Sequence, residues 1–178
     1  MIYITKYAGG LRYVLKQLYK FFPPHTTYVE PFSGLGLVLL NKSRSKCEIL
    51  NDIDGNVVNL FLAIRDNFDE FKKLHKWTLY SREIHDKYYE IWERDRLKSL
   101  PPVHRAFAFY YLLATSFHGM VSKNLGAITI PVPCENSERI FDVSFIRLEN
   151  LIEVFRYFSL IASCFLTGNS HFVRSVST

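Results

Sequence analysis

Cysteine is scarce: Cys47, Cys134 and Cys164 are the only three in 178 residues. Their odd number and wide spacing argue against a disulfide framework and against a structural zinc site. They fit a reduced, cytoplasmic setting with no metal. The start, MIYITKYAGG, has no apolar core of signal-peptide length. No run approaches the ~18 apolar residues of a membrane span, so no membrane partner is expected. Acids are missing from both ends. Residues 1–20 carry Lys6, Arg12, Lys16 and Lys20 without one, and none follows Glu153. Repeats and low-complexity linkers are absent too.

What is present suits one folded domain. Hydrophobic residues make up 48% and charged residues 22%, a globular balance. The 16% aromatic share supplies a packed core and leaves rings for a stacking site. A net charge of +5 is compatible with a polyanionic partner without establishing one.

Hydrophobic spacing predicts a helix over Tyr13–Phe22, stopped by Pro23 and Pro24. Thr26–Phe32 reads as a strand, and Leu37–Leu40 as the start of a helix that closes near Asn41–Ser45. Lys46–Leu50 reads as a second strand and Val57–Arg65 as a helix. The order strand, glycine turn, helix, strand, acid is the opening of a Rossmann-like α/β unit. Asp69–Lys76 and Ser81–Lys98 read as charged helices, with Ser81 as an N-cap. Arg105–Phe117 reads as a buried helix, Gly119–Pro133 as a loop or hairpin and Val143–Phe158 as a helix. Tyr157–Leu166 reads as a buried strand, and residues 167–178 as a polar, frayed end.

The strongest local signal is Glu30-Pro-Phe-Ser-Gly34-Leu-Gly36, followed by Asn51-Asp52. Glycines after a strand let a ligand approach the backbone. An acid about 20 residues on, at the end of the next strand, accepts from ribose hydroxyls. A plain strand-to-helix turn is the alternative reading of the glycines alone. No third glycine completes GxGxxG, which favours S-adenosylmethionine over a nicotinamide cofactor.

Four ordered stretches resemble the Dam-type adenine-N6 DNA methyltransferases. Tyr28-Val-Glu-Pro-Phe-Ser-Gly-Leu-Gly36 is similar to the family's VEPFxGxGxV loop. Lys6-Tyr-Ala-Gly-Gly10 is similar to its KWAGGK motif, and Leu50–Leu60 to NDxNxDLVNxY. Phe117-His-Gly-Met-Val-Ser-Lys-Asn124-Leu-Gly126, running on to Ile130-Pro131, is similar to YNGLxRxNxxGxFNxPxG.

The resemblance implies an α/β, Rossmann-like S-adenosylmethionine-dependent fold with a mostly helical DNA-recognition region. It implies a cofactor site of Tyr7, Ala8, Gly9, Gly10, Glu30, Pro31, Phe32, Gly34, Gly36, Asp52 and Ile53. Tyr7 would present its ring to the cofactor adenine, and Asp52 would bind the ribose. Glu30 has a second reading, as a structural acid at a strand end. Double-stranded DNA would be met by Lys6, Arg12, Phe117, His118, Ser122, Lys123 and Asn124. His118 and Ser122 depart from the family's Asn and Arg, and Leu11 from its Lys, so a GATC target is not implied.

The expected organisation is a cofactor part over 1–65, a target-recognition part over 66–142 and a returning segment over 143–178. The family's catalytic Asp/Asn-Pro-Pro-Tyr/Phe motif is absent. Phe22-Pro-Pro-His25 and Leu100-Pro-Pro-Val103 supply neither its acceptor nor its ring, so no catalytic residue is identified. In the family the strand bearing that motif lies beside the first strand. An incomplete sheet is therefore expected, with Thr26–Phe32 as an edge that Tyr157–Leu166, a second chain or self-association would cover. Little activity is expected from this chain alone. A non-enzymatic DNA-binding remnant and a methyltransferase on RNA or protein are the competing readings.

Overall fold

The computed structural model describes residues 1–5, 7–9, 11–116, 119–121, 148–159 and 164–167. Their common framework is a three-stranded, all-parallel sheet in the order β1 (Thr27–Glu30), β2 (Cys47–Asp52), β3 (Cys164–Thr167). Val29 pairs with Ile49 and Ile49 with Cys164, which fixes the register. β1 stops at Pro31, which has no N–H for a ladder.

The expected strand over Tyr157–Leu166 is corrected at its start, because Tyr157 lies on the helix α6 (Leu148–Ser159). Its buried Leu151, Val154 and Tyr157 follow a helical period. β3 also takes the side of β2 away from β1, so it does not fill the place beside β1. Among the described residues β1 is paired on one side only, and Val29 is 50% exposed.

The helix expected over Tyr13–Phe22 shrinks to α1 (Leu15–Leu18) with a 3-10 turn at Tyr19–Phe21. Only Leu15 of this segment is buried, while Tyr13 is 94% exposed. Too little tertiary packing reaches a longer helix to stabilise it. The helix expected from Leu37 is a 3-10 turn, Leu39–Asn41. Asn41 explains its brevity. Its Nδ2 donates to Leu37 O at 2.9 Å and to Ile2 O at 2.6 Å, and its Oδ1 accepts from Ile2 N at 2.7 Å. The side chain competes for helical carbonyls and clamps the N-terminal segment onto the turn.

α2 (Gly55–Asp66) starts where Asp54 Oδ1 accepts from Asn56 N at 2.8 Å, an N-cap. α3 (Phe68–Trp77) follows, then α4 (Arg82–Glu93). α4 ends earlier than expected, at Glu93, and the chain turns at Asp95 with φ +50° before a 3-10 turn at Leu97–Ser99. Ser81 holds the N-cap position but its side chain makes no cap bond. Its backbone N–H instead donates to Tyr111 Oη at 3.0 Å. Tyr111 belongs to α5 (Pro102–Thr115), which is buried from Ala106 to Thr115 as its apolar run predicts.

The core is built around α5, with Phe71 of α3 edge-on to Phe107 and Tyr110. α6 closes it, stacking Phe155 on Phe68 at 4.6 Å between ring centres. No helix among the described residues is long and apolar enough to cross a membrane.

Candidate functional site at the strand ends

β1 and β2 end side by side, and their following turns are sewn together. Ser33 N donates to Asn51 O at 2.9 Å, and Asn51 Nδ2 to Pro31 O at 3.0 Å. Asp52 sits at the seam. Its Oδ2 accepts from Gly34 N at 2.8 Å, and its Oδ1 accepts from Asp54 N at 2.9 Å. The acid that spacing alone selects therefore holds both turns, with one further lone pair on each oxygen for a hydroxyl donor.

Gly34 and Gly36 have φ of +48° and +64°, a region that disfavours side chains. A Cβ on Gly34 would stand 3.1 Å from the Tyr7 ring, and one on Gly36 would stand 3.0 Å from Phe61. Gly34 thus lets Tyr7 close onto the turn from the N-terminal side, and Gly36 makes room for the Phe61 ring. Tyr7 is half-buried, and its hydroxyl is pushed up by burial first and then by the carboxylates of Asp52 and Asp54. Two apolar side chains remain open to solvent here: Phe32 is 86% exposed and Ile53 92%. Ala8, Gly9 and Pro31 are exposed as well. The arrangement offers a carboxylate for a diol and apolar or aromatic surfaces for a flat heterocycle.

Glu30 faces elsewhere. Its Oε2 accepts from Leu39 N at 3.0 Å and from Tyr28 Oη at 3.2 Å, so its described partners are structural. Burial drives its carboxyl up to about 7, against the hydrogen bonds from Tyr28 and Leu39 and the charge of Lys42. The folded state thus binds this proton more tightly than the unfolded chain does. The resulting stability is complete below the carboxyl's ordinary value and is lost as pH rises through about 7. The thermal midpoint should fall by roughly 5 °C between pH 5 and pH 7.5 through this group. Glu30→Gln should flatten that part of the profile; parallel melting curves for the two proteins would remove Glu30 as the cause.

The residues expected to meet DNA are only partly placed. Arg12 is exposed, its guanidinium 5.2 Å from the Tyr3 ring centre. Lys6, Phe117, His118, Ser122, Lys123 and Asn124 lie outside the described residues, as does Gly10 of the expected cofactor site. Among the described residues no group of three His, Cys, Asp or Glu side chains could hold a metal ion. Sequence reasoning missed Arg105, whose Nε donates to Asn56 Oδ1 at 3.0 Å beside this loop. A lone arginine on an apolar helix carries no local signal of that contact.

The family model for D12 class N6 adenine-specific DNA methyltransferases matches residues 7–130, most of the chain and both turns of this site. The chain belongs to that family. It is 32% identical over 129 residues to the DNA adenine methylase of Escherichia coli (strain K12), covering 71% of this chain and 45% of that protein. The DNA adenine methylase of Serratia marcescens is 30% identical over 129 residues, covering 71% of this chain and 47% of its own. The DNA N-6-adenine-methyltransferase of Escherichia phage P1 is 26% identical over 121 residues, with 68% and 16% covered. The chain spans about half the length of the bacterial relatives it matches. As a D12 family member it carries the mixed helix–strand architecture and the parallel sheet of such a chain, and the family implies a methyl donor.

Proposed function

We propose that this chain is the cofactor-binding part of a DNA adenine-N6 methyltransferase, with a Rossmann-like arrangement and S-adenosylmethionine as methyl donor. The observation that carries the reading is the Asp52 carboxylate, held between Gly34 N and Asp54 N at the ends of two parallel strands. Ligands of open α/β sheets bind outside the carboxyl ends of the strands, where backbone can be approached closely. The residues present fit an adenosyl group. Asp52 would accept from the ribose hydroxyls, Gly34 and Gly36 give the turn its positive-φ backbone, and Tyr7, Phe32 and Ile53 supply surface for the base and the methionine side. When bound, the cofactor supplies an electrophilic methyl on a positively charged sulfur.

Residues 1–65 form the cofactor part in this reading, 66–142 the target-recognition part and 143–178 the returning segment. Lys6, Arg12, Phe117, His118, Ser122, Lys123 and Asn124 meet duplex DNA. The Asp/Asn-Pro-Pro-Tyr/Phe motif that would hold a flipped adenine occurs nowhere in the 178 residues. In this reading a second chain or a second copy completes the sheet beside β1, which among the described residues is paired on one side only. The expected outcome is no methyl transfer to duplex DNA by this chain alone. Transfer to adenine N6 should appear once a segment bearing that motif is joined or added. A completed, folded protein that leaves adenine unmethylated would overturn the proposal.

That missing motif also favours a second reading, a non-catalytic DNA-binding chain. It predicts affinity for duplex DNA that falls steeply with salt and is indifferent to the cofactor.

A further inference from the structure

Arg105 lies in the first turns of α5 and crosses to the N-terminus of α2. Its Nε donates to Asn56 Oδ1 at 3.0 Å, while its Nη2 is buried without a hydrogen-bond partner among the described residues. A Cβ on Gly55 would stand 3.3 Å from that same Nη2, so the guanidinium lies against the first turn of α2. A second tie runs alongside, from Asn59 Nδ2 to Pro102 O at 2.8 Å. Helix N-termini disfavour a cation, so helix electrostatics does not select arginine at this junction. Its compensation comes from the carboxylates of Asp54 and Asp95, which oppose the effect of burial on the guanidinium.

From Asn56 the bonds continue without a break into the candidate site. Asn56 N donates to Asp54 Oδ1 at 2.8 Å, Asp54 N to Asp52 Oδ1 at 2.9 Å, and Gly34 N to Asp52 Oδ2 at 2.8 Å. We propose that Arg105 is a positioning residue: it fixes the first turn of α2, and through it the orientation of the Asp52 carboxylate. The inference rests on the reading of Asp52 as the ribose-binding acid. It adds that α5, outside the glycine turns, sets the geometry of the cofactor loop. Arg105 is half-buried, and burying its Nη2 without a partner costs stability, a cost that fits a group retained for placement.

The test compares the 178-residue chain with Arg105→Gln and Arg105→Lys, well below their melting temperatures. Amide proton–nitrogen spectra report the Gly34 and Asp54 N–H groups directly, with Asp52→Ala giving the limiting shift when their acceptor is gone. Arg105→Gln should move both amides toward that limit. It should also weaken S-adenosylmethionine binding about tenfold, the order of one charged hydrogen bond. Arg105→Lys, which keeps the charge facing Asp54 but loses the planar fork, should fall between, and decides the matter if the glutamine variant does not fold. A packing role would lower the melting temperature and leave the Gly34 amide, which lies on another turn, at its wild-type position. Unshifted Gly34 and Asp54 amides in the folded variants would overturn the inference. Shifted amides in a chain that binds no cofactor would leave Arg105 in place and overturn the cofactor reading instead.

Discussion

Lys42→Met is expected to destabilise the protein by about 3–5 kcal/mol, the usual cost of leaving one member of a buried ion pair alone. Lys42 Nζ and Glu48 Oε1 are in direct contact, with 3% and 0% of their side chains exposed. Around them the polar groups are satisfied. Lys42 Nζ donates to Ser43 O and Ser45 Oγ, each at 2.9 Å, and lies 4.5 Å from the centre of the Tyr28 ring. Glu48 accepts from Ser45 N at 3.0 Å and from Tyr157 Oη at 2.6 Å. The cluster joins β2, the loop before it and α6, so its loss loosens the sheet and the helix that covers it. A loss of this size is a large fraction of a typical 5–15 kcal/mol stability. It should lower the melting temperature by roughly 10 °C.

The double variant Lys42→Met, Glu48→Leu should be more stable than Lys42→Met, because no buried charge is left over. Tyr157 then still has Leu39 O, 3.2 Å away, as an acceptor. Denaturant melts check both statements. A Lys42→Met protein within 1 kcal/mol of the parent, on the scale of an exposed pair, would show that the cluster is not buried in solution.

Asp52→Ala is expected to weaken S-adenosylmethionine binding by about a hundredfold, the order of two charge-assisted hydrogen bonds from ribose hydroxyls. The same change removes the acceptor of Gly34 N and Asp54 N, so the two turns lose their common anchor. Asp52→Asn should be milder. Its one carbonyl oxygen can still take one of those N–H groups, while its amide must turn toward the other. Titration calorimetry gives the affinities, and melting curves separate them from loss of fold. An Asp52→Ala protein that binds as the parent does would place the cofactor elsewhere.

The strands and helices legible in the sequence are those whose signals are local. β1 lies within the run read as a strand, though it stops at Glu30, short of the expected Phe32, and α2 contains the apolar face read over Val57–Arg65. α5 is apolar over most of its length and is buried accordingly. The misread elements depend on distant partners. Asn41 reaches 39 residues back to Ile2 and cuts short the helix expected after the glycine turn. Ser81 is held by Tyr111, 30 residues on, rather than by its own side chain. Tyr157, claimed by both the helix expected over Val143–Phe158 and the strand expected over Tyr157–Leu166, lies on the helix and closes on Glu48 across 109 residues.

The site divides the same way. The glycines and Asp52 follow from spacing, since a turn that must admit a ligand needs small residues and a following acid. Glu30 sits in the same motif, where a structural acid is one of its two readings, and the 3-10 turn supplies its partner, Leu39 N. Arg105 reaches Asn56 across 49 residues, with no pattern in the sequence to mark it.

The most direct measurement is calorimetric titration of the unaltered 178-residue chain with S-adenosylmethionine. Saturable one-to-one binding that disappears in Asp52→Ala is the predicted result, and would mean that this chain forms the proposed cofactor site by itself. A chain shown by its melting curve to be folded, and yet taking up no cofactor, would contradict the account.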